Sequence, residues 1–274
     1  MKTEKPNRLA ILGAGAMGQA LCRGLLRARV FLPENITCTD IDESKLALLR
    51  EETGVTTTAS NADAASSADV ILLSVKPAMV DSVLDSISAV LSKDQLIISI
   101  AAGVTLKRLQ DRLPEGIPVV RAMPNTPSLI GLGATGFALG EHADQSDEET
   151  AKRIFGAVGE AVEVPEGLMN AVTGLSGSGP AYVYLMIEAM AEAGVSVGLS
   201  REVSLLLSAQ TVLGAAKMVL ETGTHPAQLR EMVTTPGGTT VAGLTTLERG
   251  KFRATIIDAV QAASRRAAEL SKDD

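Results

Sequence analysis

Six residues near the N-terminus leave this chain little freedom. Gly13-Ala14-Gly15-Ala16-Met17-Gly18 follows directly on the apolar run Leu9–Leu12 and leads into a helical pattern. In such a G-x-G-x-x-G turn the first glycine permits the sharp bend. The second lets a pyrophosphate approach the backbone, and the third lets the helix pack closely on the strand. The free N–H groups of a helix starting near Met17 then face the phosphates. Taken alone, the motif is also compatible with a flexible turn. Here the strand before it, the helix after it and a second strand at Ile36–Asp40 all fall where a dinucleotide-binding unit requires them.

The chain continues in that manner. Short β-branched runs at Val70–Val75, Leu96–Ile100 and Val119–Ala122 precede Thr135–Leu139 and Ala161–Val164. Amphipathic stretches lie between the early ones: Met17–Arg29, Ser44–Glu52, Met79–Leu91 and Thr105–Leu113. Alternation of this kind, with continuously apolar strands, predicts a parallel sheet covered by helices on both faces. Beyond about Pro165 the strand signals stop. Helices are predicted at Pro180–Ala193, Ser200–Thr222, Pro226–Met232, Thr239–Arg249 and Phe252–Ser271, with Gly194, Gly223 and Gly250 as ends. The expected fold is therefore α/β: a Rossmann-like, mostly parallel sheet domain over residues 1–168, followed by an all-α domain over 169–274.

Composition narrows the function classes. A formal net charge of −7 over 274 residues argues against non-specific nucleic-acid binding. It also means that an anionic substrate must be held by local donors. The two cysteines, Cys22 and Cys38, cannot form a disulfide framework or a cysteine-rich zinc site, and His142 and His225 stand in no metal-ligand spacing. No metal is expected. Residues 1–6 lack the apolar core of a secretory leader, and no stretch reaches 18 apolar residues without a charge, so a cytoplasmic protein without a membrane span is expected. Within Ala181–Ala193 the only charges are Glu188 and Glu192. A helix apolar on nearly every side is either a central core element or an interface element covered by a second copy of the chain.

The second strand ends at Asp40, with Asp42 and Glu43 beyond. An acid there accepts hydrogen bonds from ribose hydroxyls and repels a 2′-phosphate, which favours NADH. Ser44 and Lys45 could instead receive a phosphate if the loop turned the acids away, and Asp42 or Ser44 could equally cap the next helix. Ser74-Val75-Lys76-Pro77 and Ala101-Ala102-Gly103 end later strands at the carboxyl edge, where open α/β sheets bind ligands. Lys76 reads as evenly functional or solvated.

Three more stretches are rich in glycine, proline and hydroxyls: Met123–Pro127, Thr173–Pro180 and Thr234–Thr240. In the last, Thr235-Pro236-Gly237-Gly238-Thr239-Thr240 stands immediately before a helix, so its successive N–H groups form an anion pocket suited to a carboxylate. No histidine or lysine base is evident. Lys217 is the one candidate in the helical half, and it is expected at the surface. Alcohol dehydrogenation ordinarily needs such a base. A protonated imine is already electrophilic, so hydride delivery to a cyclic iminium is the chemistry that hydroxyls and amides alone can support.

These residues resemble the pyrroline-5-carboxylate reductase family over nearly the whole chain: Gly13–Gly18, Ser74–Pro77, Arg121–Pro127, Val172–Tyr182 and the run Pro226–Glu248. The resemblance implies reduction of 1-pyrroline-5-carboxylate to proline by NADPH or NADH. It implies that Gly13, Ala14, Gly15, Ala16, Met17, Gly18, Asn61, Ser74, Val75, Lys76 and Pro77 hold the cofactor, and that Ala101, Ala102, Gly103 and Asn125 border the nicotinamide. Thr235, Gly237, Gly238, Thr239 and Thr240 would hold the substrate, with Thr240 near the ring nitrogen and Thr173 close to the reacting pair. It further implies a homodimer interlocked through C-terminal helices; larger rings of dimers occur in the family, and nothing in the sequence chooses between them. Two positions depart from the usual pattern. Thr235 stands where many members have serine, and Asp40-Ile41-Asp42 stands where many have a neutral or basic segment, which puts the usual NADPH preference in question. The rival readings are a reductase of another imine or of a hydroxy acid, and a non-catalytic dinucleotide sensor, which would have no use for Thr235–Thr240.

Overall fold

The glycine turn sits at the centre of an eight-stranded sheet. A computed structural model describes residues 7–271; residues 1–6, read above as lacking the apolar core of a leader, and the last three residues lie outside it. Its residues group into two compact units. One runs to Ser178 and takes back the chain from Ala262, and the other is Gly179–Gln261.

In the first unit, β1 (Leu9–Leu12), β2 (Ile36–Thr39), β3 (Thr56–Thr58), β4 (Val70–Leu73), β5 (Leu96–Ser99) and β6 (Val119–Met123) run parallel. Antiparallel to β6 comes β7 (Gly133–Leu139), and β8 (Gly159–Glu163) runs alongside β7. The order is β3-β2-β1-β4-β5-β6-β7-β8. The chain leaves β1 in one direction and returns on its other side with β4, so the β1/β4 boundary is the switch point at which such sheets bind ligands. Leu9–Leu12 and Val70–Leu73 are buried at every position, because helices cover both faces. Side chains alternate into two cores. Leu9, Ile11, Leu72 and Ile98 pack with Leu21 and Phe155 on one face, and Ala10, Leu12, Ile71 and Ile97 pack with Leu84 and Leu109 on the other.

The covering helices are α1 (Ala16–Arg27), α2 (Glu43–Thr53), α3 (Asn61–Ser66), α4 (Val80–Ile87), α5 (Leu106–Asp111) and α6 (Gln145–Gly156). Two of them differ from the expectation. The polar segment around His142 gives way at Gln145 to α6, whose Asp144 and Asp147 form a reciprocal capping box. The short α3 starts on the cap Ser60, whose hydroxyl accepts from the Asp63 N–H at 3.2 Å. Cys22 on α1 and Cys38 on β2 are buried free thiols. Their mutual hydrogen bond and burial push the Cys38 thiol well above its ordinary value.

After β8 come α7 (Met169–Val172) and a π-helical turn at Thr173–Gly177. The glycine-rich stretch before Pro180, for which no helix was predicted, is thus helical, closed by the Ser178 N–H bonding to the Thr173 carbonyl at 2.8 Å. In the second unit, α8 (Gly179–Ser196) continues through Gly194 rather than ending there, and packs on α9 (Arg201–Thr222). A Cβ at Gly194 would stand 2.6 Å from the Ser204 hydroxyl, so this glycine permits close helix contact. Then follow α10 (Pro226–Met232), α11 (Thr239–Arg249) and α12 (Phe252–Leu270), the last belonging in part to each unit.

Within the single chain, the apolar helix is not a core element. No residue of α8 is buried, and Leu185 is 67% exposed. On α9 only Ser204 and Ser208 are buried, while Leu205, Leu206, Leu207 and Leu220 are exposed. By length and composition α9 is also long and apolar enough to cross a bilayer.

Candidate active site

The cofactor-side residues named from the sequence fall at the carboxyl ends of β1, β2, β4, β5 and β6, together with the start of α3. The three motif glycines are not equivalent. Gly13 has φ +103°, and a Cβ there would lie 2.5 Å from the Ser74 carbonyl oxygen. One at Gly18 would lie 2.2 Å from the Gly13 oxygen. Both are required by the packing of the chain itself. Around Gly15 a Cβ would meet nothing within 4 Å. Gly15 is the N-cap of α1, and no side chain caps that helix start. Uncapped N–H groups facing open space, with a missing side chain that internal packing does not demand, fit the diphosphate of a dinucleotide.

Asp40 does more than the sequence indicated. Its Oδ2 accepts the Ala14 N–H at 2.8 Å, and its Oδ1 accepts the Asp42 N–H at 2.9 Å. The carboxylate therefore joins the glycine turn to the loop after β2, while each oxygen keeps a second lone pair for a ribose hydroxyl. Asp42 is the cap of α2. It accepts the Ser44 N–H, the Ser44 hydroxyl and the Lys45 N–H, and pairs with the Lys45 ammonium at 3.4 Å. These contacts hold its own carboxyl below the usual range, the Ser44 hydroxyl contributing most. Ser44 and Lys45 are thus already engaged by an acid. Asn61 accepts the Thr39 hydroxyl at 2.6 Å and opens α3. Lys76 is exposed and makes no ion pair among the described residues. Gly103, at φ +83°, lies beside the last turn of α12, where a Cβ would be 3.8 Å from the Leu270 oxygen. Ala101 is buried and Ala102 exposed in the same turn.

Asn125 is nearly buried, at 8% exposure. Its Oδ1 accepts the Ala134 N–H at 2.9 Å and its Nδ2 donates to the Ser176 carbonyl at 3.0 Å. Thr173 begins the π-turn, its hydroxyl spent on the Met169 carbonyl at 2.9 Å. A contact that the sequence reading overlooked supports this region. Arg121, almost wholly buried on β6, pairs with Glu166 at 3.3 Å, and Glu166 also accepts the Leu106 N–H. The one signal for it was a charged residue inside an apolar strand.

The substrate-side residues lie together in the second unit. Gly237 adopts φ +70°, and the Gly238 N–H closes a turn onto the Thr235 carbonyl at 2.9 Å. Gly238 is the N-cap of α11, again with no side-chain cap. A Cβ on it would lie 2.4 Å from the Thr235 hydroxyl. Thr234, Thr245 and Thr246 spend their hydroxyls on carbonyls one turn back, whereas those of Thr235, Thr239 and Thr240 donate to nothing among the described residues. Unspent N–H groups and unspent hydroxyls side by side make a pocket for a carboxylate and a neighbouring polar atom. His225 caps α10 through Nδ1, and Lys217 is exposed and paired with Glu221 at 3.3 Å; neither offers a base.

Sheet order, glycine turn and helical extension define the class: a Rossmann-type oxidoreductase with a helical domain after its sheet. Residues 166–270 match the family described as pyrroline-5-carboxylate reductase dimerisation, and residues 8–103 match that described as NADP oxidoreductase coenzyme F420-dependent. A pyrroline-5-carboxylate reductase of Methanosarcina acetivorans is 47% identical over 97% of this chain and 98% of its own length. A solved reductase of that name from Coxiella burnetii superposes with a TM-score of 0.93 at 41% identity, covering 97% of this chain and 98% of its own. The pyrroline carboxylate reductase of Plasmodium falciparum, solved with NADP bound, gives 0.86 at 34% identity, covering the same shares. The chain belongs to the pyrroline-5-carboxylate reductase family.

Proposed function

We propose that this chain reduces 1-pyrroline-5-carboxylate to proline, the last step of proline biosynthesis, with a hydride from NADPH or NADH. The observation that carries the reading is the uncapped start of α11. The Gly238 N–H, expected to face the carboxylate, is spent on the Thr235 carbonyl, so the amides of Thr239 and Thr240, with the free hydroxyls of Thr235, Thr239 and Thr240, supply the donors that a carboxylate needs in a chain of negative net charge. Gly13–Gly18, Asp40, Asn61, Ser74–Pro77 and Ala101–Gly103 form the cofactor side, where the bound nicotinamide supplies the hydride. Thr240 orients the imine nitrogen or relays its proton, and Gly237 gives the turn the backbone freedom to present its amides. The residual chemistry needs no strong base, because protonation precedes reduction.

Asp40 directs the preference towards NADH. Its engagement with Ala14 fixes a negative charge where a 2′-phosphate would lie, and Asp42 keeps Ser44 and Lys45 from serving as phosphate ligands. Residues 169–274 act as the dimerisation and substrate domain, and a second copy covers the apolar surfaces of α8 and α9. A ring of dimers is compatible with this arrangement. Neither a nucleic acid nor a membrane enters the scheme, and the enzyme works in the cytoplasm.

The test is loss of reduced-nicotinamide absorbance with 1-pyrroline-5-carboxylate. Thr240→Ala is expected to lower kcat about 100-fold or more, in the range typical of a positioned proton-transfer group, with the cofactor Kd unchanged. Wild-type kinetics in that variant would remove the role given to Thr240.

A further inference from the structure

Pro180 lies in the first turn of α8 and has no N–H. In an α-helical register the N–H of residue 180 would bond to the carbonyl of residue 176. The Ser176 carbonyl is therefore denied its ordinary donor, and the proline ring disfavours a regular helix at that carbonyl as well. The chain answers both problems locally. The π-turn over Thr173–Gly177 widens the helix, and the Asn125 side chain reaches in from the end of β6 to donate to the Ser176 oxygen at 3.0 Å. The same amide is fixed at its other end by the Ala134 N–H at the start of β7. π-turns are rare, and they concentrate at functional sites.

The turn rests on two further contacts in the same unit. A Cβ at Gly177 would meet the Met123 methyl at 2.9 Å, and one at Gly136 would meet the Val172 side chain at 2.7 Å. Gly177 lets the turn press on Met123 at the end of β6, and Gly136 lets Val172, just before the turn, sit against the middle of β7. Removing the Asn125 side-chain bond leaves this apolar packing in place.

We infer that Asn125 is a positioning residue for the reaction: by supplying the donor that Pro180 cannot, it locks the π-turn that carries Thr173. This deepens the reductase reading and rests on it. Asn125 thereby acts through the backbone of Thr173–Gly177, giving one amide hydrogen to Ser176 and one lone pair to the Ala134 N–H.

The test uses the full-length enzyme, and wild-type turnover of 1-pyrroline-5-carboxylate must first be established; its absence would sink the reductase reading, not the one about Asn125. Asn125→Asp is isosteric. It keeps the acceptor for Ala134 but, when ionised, has no hydrogen to give Ser176. Expected is a fall in kcat of ten-fold or more, with cofactor Kd within two-fold of wild type by calorimetry and circular dichroism unchanged. Hydrogen exchange should rise in the peptide spanning residues 173–179 and not in β1 or β4. Unchanged kcat, or a cofactor Kd weakened ten-fold in a folded variant, would overturn the inference, the latter by making Asn125 a cofactor contact. Should N125D not fold, N125A tests the same bond without a charge. Adding Pro180→Ala to N125A returns an N–H to position 180, and partial recovery of kcat is expected; no recovery counts against the inference.

Discussion

At the scale of single residues, the three motif glycines separate into two kinds, and their substitutions should behave differently. Gly15→Val adds a side chain into space that the folded chain leaves empty. It should leave the thermal midpoint unchanged and weaken dinucleotide binding at least 100-fold by calorimetry, since the side chain would occupy the diphosphate path. Gly13→Ala meets carbonyl oxygen at 2.5 Å at a positive φ, so it should destabilise the fold by about 1–3 kcal/mol even without ligand. Asp40→Ser should raise the ratio of NADPH to NADH use in steady-state kinetics. It should also weaken both cofactors, because the bond to Ala14 that shapes the glycine turn disappears. An unchanged ratio would show that the carboxylate serves the turn alone. The motif was legible because glycine spacing reports backbone demands directly. The double duty of Asp40 and Asn125 was not, because it depends on which distant N–H or carbonyl a side chain meets after folding.

At the scale of elements, most strands of the sheet were legible as short runs rich in apolar or β-branched residues, and those read from the sequence agree with the observed ones to within about two residues. What escaped was short or polar. Thr56–Thr58 is a three-residue edge strand without an apolar run. The helix α6 opens with Gln145-Ser146-Asp147-Glu148-Glu149, so its buried apolar residues, Ala151, Ile154 and Phe155, come late. The π-turn is written in glycine, serine and threonine, which locally mean loop, and becomes helical only by packing on β6 and β7. One misfit remains in the α8–α9 pair: the Ser204 hydroxyl is buried without a hydrogen-bond partner. Ser204→Ala removes that unsatisfied group, leaves Gly194 its room and should stabilise by about 1 kcal/mol. Differential scanning calorimetry should record this as a rise in midpoint of about 2–4 °C.

For the whole molecule, the helical half reads differently alone and in company. Its leucines at 205, 206, 207 and 220 are exposed in the single chain, and the proposed pairing would cover them. Leu206→Glu should turn dimers into monomers in sedimentation velocity while the dinucleotide-binding unit retains its cofactor affinity; a dimer that persisted would place the contact elsewhere. The sequence signalled this surface through its excess of apolar residues, but could not say whether its own chain would cover it.

Uncovered leucines on α9 have a bearing on how much working enzyme a cell obtains. A newly made chain carries a sticky flank until it meets its twin, and encounters between twins scale with the square of their number. Halving synthesis would then cost more than half the catalyst at low abundance, and lone chains would be the first handed to chaperones or proteases.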